Sequence, residues 1–183
     1  MPISVGKGDR LIKKLIRMDF LRIHAISHGG RGSMTKYLEL TAKGYRAIKA
    51  EPKSGIGKGA GWEHGFWQHH CMQELKNYEG IQKVVIEEMI GNKSVDILVN
   101  ASDEKIAIEI AMTPDHEKTN IEKDLNAGIN KIFVACCDKS VLAKVTALVE
   151  ALTPDIRNKV VVCLVQKVVS EVQSYVQKRR NNG

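Results

Sequence analysis

Two carboxylates in neighbouring apolar segments are the side chains of this sequence best placed to do chemistry. Asp96 and Glu109 each lie in a short run of β-branched and aliphatic residues, and the mostly polar stretch Asn100–Asp103 separates the two runs. Such a pattern is typical of a β-hairpin. A hairpin symmetric about Ser102–Asp103 places Asp96 opposite Glu109, with Cβ atoms about 5 Å apart.

Two buried like charges at this separation repel each other unless a proton or a cation lies between them. Ligands that offer only oxygen suit Mg²⁺ or Mn²⁺ better than zinc. The pair therefore predicts a divalent-cation site. The alternative is a register shifted by a residue or two, which leaves both acids at a sheet edge in water.

Composition limits the classes to which the protein can belong. Its 183 residues are 43% apolar and 27% charged, enough for an ordinary core, and no run approaches the ~20 apolar residues of a membrane span. The N-terminus lacks the apolar core of a signal peptide. The four cysteines show no Cys-x-x-Cys spacing, which favours free thiols. We expect a cytoplasmic protein that does not bind membranes.

Positive charge is concentrated in the first third of the chain. Residues 1–60 contain 13 Lys and Arg against 4 Asp and Glu, a net charge of +9, whereas residues 61–183 carry a net charge of −2. This distribution is typical of a phosphate-binding module attached to a near-neutral domain. A cationic surface that serves only solubility is the alternative.

Residues 1–51, which carry most of this positive charge, are predicted to form two helices and two strands. An amphipathic basic helix over residues 8–18 precedes a strand, the turn His28–Ser33, a second strand, and a short helix that Thr41 can cap. This order resembles the second half of a winged helix-turn-helix domain, with the basic helix as recognition helix and the turn as wing. The helices that normally come before the recognition helix are missing. The residues predicted to contact double-stranded DNA are Arg10, Lys13, Lys14, Arg17, Arg31 and Lys36.

A Gly-rich linker, residues 52–61, leads into a second domain, residues 62–183. Its periodicity predicts a helix over Trp62–Tyr78, a three-stranded meander, a helix from Thr113 to Ala127 that ends at Gly128, and then alternating strands and helices. The order is α/β and predicts one mixed sheet covered by helices on both faces. The histidines of the leading helix do not have a zinc spacing, so we expect them at its surface.

The sequence Val-Asp-Ile-Leu-Val followed by Ile-Ala-Ile-Glu-Ile-Ala, between a leading helix and a following helix and strand, resembles the core of the PD-(D/E)xK restriction-endonuclease-like superfamily. The resemblance implies that Asp96 and Glu109 are metal-binding and catalytic acids. It also implies that Glu63, in the leading helix, is a third metal ligand, with Mg²⁺ or Mn²⁺ as cofactor. The wider pattern resembles C-terminal regions of HerA-like and conjugative-transfer ATPases and replication-relaxation-type plasmid proteins.

One departure from that family concerns its motif lysine, because this chain has Ala111 two residues after the second acid. Some members carry a substitute lysine on the following helix. If Ile121 and Leu125 mark the buried face at about 100° per residue, Lys118 lies on its flank and Lys123 on the far side. Lys118 is therefore predicted as the catalytic lysine.

Two functions follow from the resemblance. The first is a magnesium-dependent DNA endonuclease of a mobile-element or DNA-transfer system. The second is a catalytically inactive nuclease-fold module that docks DNA or a HerA- or FtsK-like ATPase. Ala111 favours the second and the retained acids favour the first. A protein-only assembly domain and a homodimer are further alternatives.

Overall fold

The computed structural model describes residues 5–26, 34–51, 61–90 and 93–182. The chain divides into two compact units, Met1–Lys58 and Gly59–Gly183. The division falls within the stretch that the composition predicts as a linker, of which residues 52–60 lie outside the described residues. None of the helices in the described part of the chain has the length and apolar character needed to cross a bilayer.

The first unit contains a basic helix and a two-stranded antiparallel sheet. Its elements are α1 (Val5–Arg17), β1 (Leu21–Ile26), β2 (Thr35–Leu40) and α2 (Ala42–Ala47). The predicted cap of α2 is confirmed, because the Thr41 hydroxyl accepts a hydrogen bond of 3.1 Å from the Gly44 amide. The predicted wing, His28–Ser33, lies outside the described residues.

The second unit is built on one mixed five-stranded sheet, which confirms the predicted α/β class. Its strands are β3 (Ile81–Ile90), β4 (Lys93–Ala101), β5 (Glu104–Ala111), β6 (Lys131–Cys136) and β7 (Val160–Leu164), and they lie in that order across the sheet. The β3–β4 and β4–β5 pairs are antiparallel, whereas β5–β6 and β6–β7 are parallel. The helices are α3 (Gly61–Leu75), α4 (Glu117–Asn126), α5 (Lys139–Glu150), α6 (Pro154–Arg157) and α7 (Val168–Asn182).

Helices cover both faces of this sheet. Ile121 of α4 and Val145 of α5 are buried in one apolar cluster with Ile132 and Val134 of β6. The intervening residue, Phe133, points to the other face, where its ring lies 5.9 Å from that of a tyrosine on α7. The strands that carry Asp96 and Glu109 therefore belong to a sheet with helices on both faces.

The predicted register of the central hairpin is confirmed. Ile97 pairs with Ile108 and Ala101 with Glu104, which is the symmetry about Ser102–Asp103 that the sequence predicts. Ser102 has φ 53°, the left-handed conformation that a tight two-residue hairpin turn requires. The ladder ends at the pair of Ile97 and Ile108, one residue short of Asp96 and Glu109.

The bounds of three helices differ from the sequence predictions. Helix α4 begins at Glu117 rather than at the Thr113 signal, although Gly128 follows its end with φ 79° as predicted. Helix α3 ends at Leu75 rather than at Tyr78, and α7 continues through the basic tail of residues 178–182, for which the sequence predicts a frayed end. Arg179 pairs with Glu104 of β5, and Arg180 pairs with Glu79, which lies before β3. These are tertiary contacts, which local propensity does not contain.

Candidate functional site

The carboxylate of Asp96 lies between two strands rather than above the sheet. The backbone N–H of Ile110, on β5, donates a 2.8 Å hydrogen bond to Asp96 Oδ2, so that a side chain takes a hydrogen bond that the strand ladder would otherwise make. Two side chains of α3 also reach this carboxylate. His64 Nε2 donates to Oδ2 at 3.0 Å and Gln68 Nε2 donates to Oδ1 at 3.4 Å. His64 and Gln68 are both buried, so Asp96 is held from the α3 side of the sheet.

The backbone around Asp96 is irregular on the side of β3 as well. Ile86 pairs with Ile97 and Glu88 pairs with Val95, while Glu87, which faces Asp96 in this register, has φ 54°. A glutamate in the left-handed region is uncommon inside a strand and costs of order 1 kcal/mol or more. Strain of this kind is concentrated at functional sites, and here it accompanies the point where Asp96 leaves both ladders.

Glu109 forms the second part of the site, together with two residues of α4. It is only 4% exposed, and Lys123 Nζ donates a 3.1 Å hydrogen bond to its Oε1. The same ammonium donates to the Ser94 carbonyl at 2.7 Å and lies 3.2 Å from Oδ1 of Asp124, which is fully buried. One lysine therefore joins β4, β5 and α4.

The electrostatics of these groups show that the acids are close together. Burial, and then the charges of Asp96 and Asp124, raise the pKa of Glu109 well above its ordinary range, although Lys123 opposes the shift. Burial also raises the pKa of Asp124. Burial alone would lower the pKa of Lys123, but the charges of Glu109 and Asp124 raise it. The group holds more negative charge than Lys123 alone neutralises, which favours uptake of a proton or a further cation.

Glu117, in the first turn of α4, is a further buried acid beside this group. It is 5% exposed, and its Oε2 has no hydrogen-bond partner within the described chain. Burial, followed by the charge of Asp96, raises its pKa from an ordinary 4.5 to about 7, against the opposing charge of Lys123. Asp96, Glu109, Glu117, Asp124 and Lys123 are called the acidic cluster below.

Lys123, and not the predicted Lys118, is the lysine that the structure places beside Glu109. Lys118 is 63% exposed and lies 4.0 Å from Glu122 on its own helix, whereas Lys123 contacts Glu109. The prediction assumed that the buried face of α4 contains only its aliphatic residues. In fact Glu117 and Asp124 are buried beside Ile121, which turns that face toward the Lys123 side. The long lysine stem then brings the ammonium to the acids.

Glu63, predicted as a metal ligand, lies one residue before the histidine that contacts Asp96. Its charge is one of the causes that raise the pKa of the Cys137 thiol, after burial and Asp138. His64, expected at the helix surface, is instead buried against Asp96. No hydropathy signal distinguishes these residues, since both are polar and adjacent; only the packing of α3 on the sheet does so.

Oxygen ligands of the right kind for Mg²⁺ are present at Asp96 and Glu109. Within the described residues, no group of three or more His, Cys, Asp or Glu side chains is arranged to hold a metal ion. Mg²⁺ is commonly bound by one or two carboxylates, with water and substrate phosphates completing its shell. The donor set of these two acids thus fits such an ion.

The residues predicted to contact DNA lie in the first unit. Arg10, Lys13, Lys14 and Arg17 of α1 are exposed, as is Lys36 on β2, while Arg31 lies outside the described residues. The exposed basic side chains of α1 are called the basic helix surface below.

Comparison of the chain with protein-family models, curated proteins and solved structures found no match.

Proposed function

We propose that this protein is a metal-dependent DNA endonuclease with a restriction-endonuclease-like second unit and a partial winged-helix-like first unit. The observation that carries the proposal is that Lys123 donates to Glu109, a buried acid whose pKa the nearby charge of Asp96 helps to raise. Two acids and one lysine are the functional groups of the family that the sequence resembles. In that family the lysine lies two residues after the second acid, where this chain has Ala111. Here the lysine beside the acids is Lys123 of α4.

Each group has a role that follows from its surroundings. Asp96 and Glu109 would hold Mg²⁺ or Mn²⁺, which when bound polarises the scissile phosphate and lowers the pKa of an attacking water. His64 and Gln68 hold the Asp96 carboxylate in one orientation. Lys123 supplies a positive charge for the phosphate, where negative charge develops during hydrolysis.

The basic helix surface supports DNA as the substrate. Residues 61–183 carry a net charge of −2, so that the unit with the acidic cluster has no general attraction for phosphates, whereas residues 1–60 carry +9. Charge-driven affinity for DNA would therefore come from the first unit and would fall as salt rises.

Cleavage of supercoiled plasmid by the full chain tests the proposal. We expect nicking or linearisation with Mg²⁺ or Mn²⁺, abolished in Asp96→Asn and in Glu109→Gln and strongly reduced in Lys123→Met. Glu122→Gln is the matched control, because it removes an exposed carboxylate from the same helix as Lys123. Unchanged cleavage in both Asp96→Asn and Glu109→Gln would refute the catalytic assignment.

A catalytically inactive DNA-binding module is the second candidate. One observation favours it: both oxygens of Asp96 already accept hydrogen bonds, from Ile110, His64 and Gln68. This candidate predicts that the chain binds duplex DNA at about 50 mM salt, where charge-driven affinity is strong, without cleaving it when either metal is added.

A further inference from the structure

The ammonium of Lys123 occupies a position built like a cation site. Three oxygens surround it at 2.7, 3.1 and 3.2 Å: the Ser94 carbonyl, Glu109 Oε1 and Asp124 Oδ1. Asp124 follows Lys123 on α4, whereas Ser94 and Glu109 come from β4 and β5, so two of the three contacts depend on the tertiary fold. The Lys123 side chain is 12% exposed, against 63% for Lys118 of the same helix.

The surrounding charge shows why a cation is needed at this point. Glu109 and Asp124 are buried, and Glu117 is buried beside them with an oxygen that lacks a hydrogen-bond partner among the described residues. Uncompensated buried carboxylates are strongly unfavourable. Lys123 therefore acts as a counter-ion of the acidic cluster in addition to any part it takes in chemistry.

A divalent cation at Glu109 would compete with this ammonium. Mg²⁺ approaches its oxygen ligands to 2.0–2.1 Å, and two positive ions in contact with the same carboxylate repel each other strongly in a partly buried site. Lysine has a flexible four-carbon stem, so its ammonium can leave without movement of the helix backbone.

We propose that Lys123 is the resident counter-ion of the acidic cluster, and that a divalent cation binding at Asp96 and Glu109 displaces its ammonium from Glu109. The displaced ammonium then lies free beside the bound cation, where a substrate phosphate arrives. Cation binding and the positioning of this lysine are thereby coupled. The inference rests on the proposed function in one respect, namely that the two acids take a divalent ion.

Titration of the full chain with Mn²⁺ alone, followed by calorimetry or by the electron paramagnetic resonance signal of free Mn²⁺, tests the exchange. The titration is done near pH 8, since the raised pKa of Glu109 makes its proton a competitor at lower pH. We expect Lys123→Met to bind Mn²⁺ at least about tenfold more tightly than the wild type, which corresponds to about 1.4 kcal/mol. Lys118→Met makes the same change at an exposed position, and its affinity for Mn²⁺ should stay within about twofold of that of the wild type.

Mass-spectrometric mapping of lysine acetylation in the wild-type protein gives a second reading that needs no variant. Without Mn²⁺ we expect Lys123 to react much more slowly than Lys118. With saturating Mn²⁺ the reactivity of Lys123 should rise several-fold, while that of Lys118 should stay constant.

The outcomes separate this inference from the proposed function. If the wild type cleaves DNA and binds Mn²⁺, but Lys123→Met binds it equally or less tightly, or Lys123 stays protected in the presence of Mn²⁺, the displacement is wrong and the nuclease assignment stands. If Mn²⁺ binds neither the wild type nor Lys123→Met, the metal-dependent function and the displacement are both refuted.

Discussion

Replacing Glu117 with glutamine should stabilise the second unit by an amount that depends on pH. The folded state raises the pKa of this carboxyl from an ordinary 4.5 to about 7, so the folded protein holds the proton more tightly than the unfolded chain does. Stability from this group is fully present below about pH 4.5 and is lost as the pH rises through about 7. Because one pKa unit corresponds to 1.36 kcal/mol, the ionised Glu117 costs about 3 kcal/mol near pH 8.

Between two pH values at which unfolding can be measured, the change in the free energy of unfolding is smaller than the full cost of ionising Glu117. Linkage between a pKa of about 4.5 in the unfolded chain and about 7 in the folded protein gives a change of about 2 kcal/mol from pH 5.5 to pH 8. Glutamine keeps the shape of the side chain and does not ionise. The stability of Glu117→Gln relative to the wild type should therefore rise by about 2 kcal/mol over this range.

Urea unfolding followed by tryptophan fluorescence measures this difference in the full chain. Both tryptophans of the protein, Trp62 and Trp67, lie in α3, so the signal reports on the second unit. Glu122→Gln serves as the control, since it makes the same change at an exposed carboxylate of the same helix. A difference for Glu117→Gln that stays constant from pH 5.5 to pH 8 would refute the buried, proton-holding state of Glu117.

Two further predictions concern a helix cap and the basic helix surface. Asp138 Oδ1 accepts hydrogen bonds of 2.7 and 2.9 Å from two amides in the first turn of α5. Asp138→Ala should therefore lower the free energy of unfolding in urea by about 1 kcal/mol, and Asp138→Asn, which keeps an acceptor, should lower it less. Equal losses in the two variants would contradict the cap. Reversing two charges in Lys13→Glu/Lys14→Glu should weaken binding to labelled duplex DNA at least about tenfold near 50 mM salt and flatten its salt dependence in fluorescence anisotropy. Lys144→Glu, an exposed change on α5, is the control, and unchanged affinity in the double variant would exclude α1 from DNA binding.

The central hairpin could be predicted from the sequence because its signals are local. Two apolar runs around a short polar turn predict the hairpin, and a register symmetric about that turn is the one in which Ile97 pairs with Ile108. The ladder ends at that pair, so the predicted opposition of Asp96 and Glu109 is not part of it. Local signals also identified Gly128 after the end of α4, where a positive φ favours glycine.

The partners of these acids could not be predicted in the same way. Choosing Lys118 over Lys123 depended on the assumption that the buried face of a helix is its apolar face. Helix α4 violates this assumption, since Asp124 is fully buried. Likewise, His64 was expected in water because no local pattern reports that α3 packs over Asp96. Apolar periodicity therefore does not predict buried polar clusters. One signal in the sequence could have been used: Asp124 lies three residues after Ile121, at a spacing that places it on the buried side of the helix.

The distribution of charge between the two units explains why each of them needs the other in the proposed function. The acidic cluster gathers four carboxylates against the ammonium of Lys123, and this excess repels the phosphates of any nucleic acid until a cation compensates it. The basic surplus of residues 1–60 has the opposite sign of charge, and in the proposed function it would attract duplex DNA. Affinity and hydrolysis are in this way assigned to different parts of one chain. Charge reversal at Lys13 and Lys14 should therefore weaken DNA binding while leaving Mn²⁺ affinity at Asp96 and Glu109 unchanged, because the two acids that would hold the ion belong to the second unit.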